Sequence, residues 1–213
     1  TSGGIWTSAT SGSEITYTFT PNTNSAILNN TEIVNRLFGA TGYTIGNVTI
    51  NTSNSNGTES GNLTMSSEIR TNNRSTTRYT LQLIAAGDML INGSFEMTAS
   101  NSALNANCNN LILTAGGNIS LIGRIYLTPN DAFRDNITLY SSSGDITINA
   151  NGFVKITNTI NADGNYNSGY QGAYEYSSGG NISITGLGGV SIANDITSFP
   201  YGGSSGTITI NSG

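Results

Sequence analysis

Residues 81–95 read LQLIAAGDMLINGSF, and three later stretches repeat the same skeleton: LILTAGGNISLIGRI from Leu111, ITINANGFVKITNTI from Ile146 and ISITGLGGVSIANDI from Ile182. Counted from the first residue of each, apolar side chains fall at offsets 0, 2, 8, 10 and 14 in all four copies. Offset 4 is Ala85, Ala115, Ala150 or Gly186, and offset 6 is always glycine: Gly87, Gly117, Gly152 and Gly188. Alternation with a period of two marks a strand with one buried face. Two such strands flank a small-x-Gly step, where glycine permits a bend that a Cβ would resist. Each module therefore reads as strand, bend, strand, and a third short strand around offset 14.

Two partial copies extend the series. Val48 and Ile50 open a module whose bend is swollen by residues 51–62 (NTSNSNGTESGN); it resumes at Leu63, Met65 and Ile69. Ile208 and Ile210 begin another that stops at Gly213. Modules thus start at 48, 81, 111, 146, 182 and 208, at intervals of 33, 30, 35, 36 and 26 residues. Periods of this size with uneven insertions are the mark of a solenoid. A lone module buries too little to fold, so stability belongs to the stack. The expected fold is all-β: a right-handed parallel β-helix of about five to six coils, the hand following from the preference of parallel crossovers. The position before each start is small and polar: Asn47, Thr80, Asn110, Asp145, Asn181 and Thr207. Such residues in one register are expected to stack as a hydrogen-bonded ladder.

Residues 1–45 do not fit the module and are read as an N-terminal strand and cap region, with 46–213 as the β-helix and its inter-coil loops. ITYTFTP (15–21) is a strand candidate, and residues 26–42 a short helix or irregular coil covering that end. The C-terminal end has no comparable cover, which suggests that the natural chain continues. Thr1 opens the chain without Met, as in a processed or excised protein.

Composition narrows the function classes. Of the 213 residues, 36% are apolar and only 9% charged, with net charge −5, 27 glycines and three prolines. Seven Lys and Arg residues are too few for a phosphate-neutralising stripe, so nucleic acid is not expected as a partner. No apolar run is long enough to cross a membrane as a helix, and no membrane insertion is expected. The single cysteine, Cys108, excludes an internal disulfide and is read as a buried thiol.

The sequence points away from catalysis. There is no histidine, and the one lysine, Lys155, sits between inward Val154 and Ile156 and should face solvent. Zinc ligands at the usual spacing are missing. Among outward module positions only Asp88 and Lys155 are charged, two modules apart. Asp131 and Asp135 form the best carboxylate pair and read as turn caps. GLGGVS (186–191) lies at a bend with no helix after it, unlike a phosphate loop. Asp163, Asn165 and Asn167 have the alternating spacing of an oxygen-rich calcium loop, but Ser168 replaces the expected glycine. A plain loop is preferred there; calcium is the one cofactor the spacing admits, and otherwise none is expected.

The candidate binding residues lie in NYNSGYQGAYEYSSGG (165–180), where Tyr166, Tyr170, Tyr174 and Tyr176, with Glu175, share one insertion between modules. Tyrosine offers an apolar ring and a hydroxyl at low entropic cost, which suits glycan or protein surfaces. Packing of these rings back onto the scaffold is the competing reading.

The run LxLxAxGxxxIxGxI at 81–95 and its copies resemble the β-helical repeats of bacterial filamentous-haemagglutinin-type exoproteins and related β-strand-repeat surface proteins, over about residues 46–213. The resemblance implies a protein secreted by a diderm bacterium and exposed at the cell surface. It implies a rod acting in adhesion, biofilm or surface coating, with further repeats of the same chain and a surface glycan or protein as partners. The intervals here are longer than in the best-known members, and no NPNG- or NPNL-like stretch is present. Two other classes stay open: a carbohydrate-active β-helix enzyme, and ice binding through a threonine array. The outward column Thr49, Gln82, Ile112, Thr147, Ser183 and Thr209 is mixed for the latter.

Overall fold

The computed structural model describes residues 1–39, 42–53, 60–73, 75–100, 106–130, 139–164 and 175–213. The chain begins with an antiparallel hairpin of β1 (Gly4–Ser11) and β2 (Glu14–Pro21), followed by one helix, α1 (Asn30–Phe38). Modules follow: β3 (Asn47–Asn51), β4 (Leu63–Met65) and β5 (Ile69–Asn73); then β6 (Thr80–Ala85), β7 (Met89–Ile91) and β8 (Phe95–Ser100). The third comprises β9 (Asn110–Ala115), β10 (Ile119–Leu121) and β11 (Ile125–Tyr126), with β12 (Pro129–Asn130) and β13 (Leu139–Ser142) in the insertion after it. The fourth is β14 (Ile146–Ala150), β15 (Phe153–Ile156) and β16 (Ile160–Asn161), followed by β17 (Glu175–Ser178). The last strands are β18 (Ile182–Gly186), β19 (Gly189–Ile192), β20 (Ile196–Thr197) and β21 (Ile208–Ser212).

The protein is predominantly β, and from β2 onward its strands pair in parallel. The first strands of the modules form one sheet in the order β1-β2-β3-β6-β9-β14-β18-β21; the second strands form another, β4-β7-β10-β15-β19. The third strands form a sheet in which β8 is flanked by β5 and by β11 and β12, then β16 and β20. The residues aligned by the repeat are the residues that pair. Val48 is opposite Leu81, Leu81 opposite Leu111, Leu111 opposite Ile146, Ile146 opposite Ile182, and Ile182 opposite Ile208. Met89, Ile119, Val154 and Val190 form a second column, and Phe95, Ile125, Ile160 and Ile196 a third. Apart from Ile208, which is 42% exposed on the last strand, these side chains make one contiguous core, with Leu81, Leu111, Ile146, Ile91, Leu121 and Ile156 wholly buried. A one-residue slip would turn every column outward, so burial on one face enforces the register.

The polar column before each module start is a ladder with a direction. The Asn47 side-chain oxygen accepts from Thr80 N (2.8 Å), Asn110 Oδ1 from Asp145 N (2.9 Å), Asp145 Oδ1 from Asn181 N (2.8 Å) and Asn181 Oδ1 from Thr207 N (3.0 Å). Thr80 has no amide oxygen to pass on, and there Asn110 N donates to the Tyr79 carbonyl (2.8 Å).

A second ladder runs along the bend. Asn62 Oδ1 accepts from Asp88 N (2.7 Å), Asp88 Oδ1 from Asn118 N (2.7 Å), and Asn118 Oδ1 from Phe153 N (2.8 Å). It explains the glycine at offset 6. None of Gly87, Gly117, Gly152 and Gly188 has a φ in the left-handed region, so at this position the backbone is ordinary, although Gly189 beside Gly188 has φ 123°. A Cβ on Gly87, Gly117 or Gly152 would collide with the Oδ1 of Asn62, Asp88 or Asn118 in the module beneath. At these three positions room for the rung, rather than freedom of φ, selects glycine.

At the N-terminal end β2 pairs in parallel with β3, and buried Phe19 adds a level to the core. Helix α1 starts where Asn29 Oδ1 accepts from Thr31 N (2.9 Å) and stops at left-handed Gly39 (φ 71°), the usual cap residues for each end. It buries Ile33 and Leu37. Arg36 is buried too: its guanidinium lies 3.9 Å from the Trp6 ring centroid and 4.5 Å from that of Tyr43, and pairs with Glu32 at 2.5 Å. No helix is long and apolar enough to cross a membrane among the described residues.

Candidate functional site

From offset 0 to offset 14 the four full modules have identical spacing, so differences in their intervals arise in the segments joining the third strand of one module to the first strand of the next. Those insertions lie against one another. Asn107 bridges Ser142, β13 pairs with β17 so that Ser142 is opposite Ser178, and Ser177 bridges Gly202. Asn73 Nδ2 donates to the Asn107 carbonyl (2.7 Å), Ser142 Oγ to Asn107 Oδ1 (2.8 Å), and Ser141 Oγ to the buried hydroxyl of Ser177 (3.2 Å). Buried Cys108 belongs to this corner, its N–H donating to the Ser142 carbonyl (3.0 Å).

The register aligns aromatics here. Tyr140 is opposite Tyr176, and reciprocal bonds at 2.7 Å between Ser177 and Tyr201 set Tyr201 beside Tyr176 in the next module. Tyr176 and Tyr201 are 40% and 37% exposed and Phe199 is 67% exposed, too high for residues folded into the core. Tyr166, Tyr170 and Tyr174 lie outside the described residues, as do Asn165 and Asn167. Glu175 opens β17. Phe199, Tyr201 and Tyr140 were not among the residues singled out from sequence. The register rule could have found Tyr140, but no repeat position marks 198–206, whose placement depends on pairing with the neighbouring insertion.

Asp163 organises this corner. One carboxylate oxygen accepts from Phe199 N (2.6 Å), the other from Asn161 Nδ2 (2.8 Å) and Thr197 Oγ1 (3.0 Å), while its carbonyl accepts from Ser143 Oγ (2.6 Å). Its carboxylate thus joins two modules by three hydrogen bonds. Among the described residues, no group of three or more His, Cys, Asp or Glu gathers in the way a metal ion needs.

Asp88 is a rung of the bend ladder and Lys155 is exposed. Asp131 and Asp135 lie outside the described residues. The alternation also carries charge on the outer face of the third sheet, which the sequence reading passed over. Arg70 and Glu96 are directly opposite in β5 and β8, with Arg70 Nη2 2.5 Å from Glu96 Oε2. Arg124 pairs with the other Glu96 oxygen, and Arg70 reaches Glu68 at 3.3 Å. The Glu96 side chain is only 12% exposed, so two guanidiniums hold a nearly buried carboxylate.

A cavity of about 400 Å³ lies at the N-terminal end of the core, between α1, the hairpin and the first module. No protein-family model, curated protein or solved structure matches this chain.

Proposed function

We propose that the three sheets close as a right-handed parallel β-helix and that this protein is a non-enzymatic segment of a secreted, surface-exposed rod, an adhesin or its stalk, of filamentous-haemagglutinin type. The supporting observation for recognition is the corner where inserted segments stack, with Tyr176, Phe199 and Tyr201 presented to solvent. Glycan or protein ligands of a cell surface would lie across these rings, and the same inter-module insertion carries Tyr166, Tyr170 and Tyr174 in its sequence. Scaffold and recognition are separated: the apolar columns hold the rod, while loops on a rigid frame vary without cost to it. At about 4.8 Å per level the modules make a rod segment on the order of 25 Å long.

The test is a glycan-array and cell-surface binding screen of the wild-type chain against two variants, a deletion of 165–174 and the triple change Tyr176→Ala, Phe199→Ala, Tyr201→Ala. Both variants should keep the β-rich circular-dichroism spectrum and lose capture of whatever the wild type retains. Unchanged capture by both would remove the corner from the reading.

A further inference from the structure

The N-terminal cavity differs from the rest of the core in one respect: it is closed on two sheets and open on the third. The first sheet is continued below β3 by the hairpin, and α1 packs chiefly against β5 and β3. Among the described residues the second sheet has no such cover, and its order ends at β4, which pairs there with β7 alone. Leu63 and Met65 of β4 are half-buried, whereas Met89 and Ile91, one module on, are 1% and 0% exposed. The unfilled space beside them is the cavity of about 400 Å³, walled by Phe19, Ile33, Ile50 and Ile69 as well, with exposed Ile27 at its rim.

Among the described residues nothing pairs with the backbone of β4 on the same side. Leu63 N donates to the Asp88 carbonyl and the Met65 carbonyl accepts from Asn92 N, so both residues spend their backbone groups on β7. Groups of a strand alternate in direction, which turns the N–H and C=O of exposed Thr64 to the free edge. A void lined by apolar side chains together with Thr52, Asn62, Ser66 and Ser67 coincides with an open strand edge. At every other level of this sheet, the element meeting both demands is a short strand with two apolar side chains two residues apart.

We propose that this end is a peptide-binding site, which takes one extended segment as an added strand beside β4 and seats its alternate apolar side chains in the cavity. An acyl chain would fill the void but leave the edge groups of Thr64 unmet. The end of a second copy would bring three strands at once, and the hairpin and α1 already stand in two of their places. A single strand satisfies both features, and strand addition with side-chain pockets is a known mode of peptide recognition. The volume falls within the range of small-ligand pockets. The site is independent of the corner proposed above for surface ligands.

Fluorescence anisotropy with labelled GNISLIG, the sequence of residues 117–123, tests it against GNSSSSG. Saturable binding of GNISLIG, at least about tenfold tighter than the serine peptide, is expected, or about 1.4 kcal/mol. Thr64→Pro, which removes the edge N–H, and Ile27→Glu, a rim change outside the core, should each weaken it about tenfold with Tm retained. If Thr64→Pro does not fold, Ile27→Glu decides alone. Equal affinity for the two peptides, indifference to Ile27→Glu, displacement by decanoate without any need for a peptide, or sedimentation as a dimer at the assay concentration would each overturn the proposal.

Discussion

The Asp88 side chain occupies the space over which Gly117 passes: its Oδ1 accepts from Asn118 N at 2.7 Å and Asn118 Nδ2 at 3.2 Å, where a Cβ on Gly117 would collide with it. Rung and glycine are one device. Gly117→Ala should destabilise the protein by about 1–3 kcal/mol, the usual cost of overpacking. Asp88→Ala, which strands the Asn118 N–H, should cost about as much. The double variant should cost less than the two together by about 0.5 kcal/mol or more, because the collision disappears with the carboxylate. Urea unfolding of the four proteins measures this, and strict additivity would refute the coupling.

The apolar columns carry the stability. Leu113 is wholly buried between Leu83 and Ile148, and Leu113→Ala should cost about 2–5 kcal/mol. Ile112, the preceding residue, points outward between Gln82 and Thr147 and is half-buried. Ile112→Thr should change the unfolding midpoint little, since Thr suits a strand surface. Equal losses for the two would contradict the assigned faces.

Glu96 lies between two arginines that reach solvent. Removing one should matter little, because the other still pairs: Arg70→Ala and Arg124→Ala should each cost about 0.2–1 kcal/mol. Removing both leaves a nearly buried carboxylate alone, and the cost should rise to on the order of 3 kcal/mol. A double-variant loss no greater than the two single losses combined would show that Glu96 is adequately solvated without them.

Asp163→Ala should loosen the corner without unfolding the sheets. The Phe199 N–H and the Thr197 hydroxyl lose their acceptor, at a cost of about 1–3 kcal/mol. Hydrogen exchange should accelerate at Phe199 while the buried amides of β14 and β18 keep their protection. Because the carboxylate already accepts three hydrogen bonds, added calcium should leave the wild-type Tm unchanged; a rise would mean that the ion displaces them.

Much of the architecture was legible in the chain because its physical basis is periodic. Alternation placed Leu81, Leu111, Ile146 and Ile182 in one column, and a parallel register is the only way to keep every such residue buried. The same logic marked the polar column from Asn47 to Thr207. The reason for the glycines was not legible, since Gly117 answers to a side chain 29 positions earlier that sequence alone does not bring near. Nor was the Glu96 ion pair, because charges on an outer face obey no apolar pattern.

The sequence alone determined which residues face inward and which strands share a level, because burying alternate side chains leaves one register. Only the tertiary structure decided what meets between levels: Tyr176 beside Tyr201, Asp163 beneath Phe199, and the void beside Met65. Those contacts arise from insertions of unequal length and from an end where the repeat stops, and neither follows a period from which position can be read.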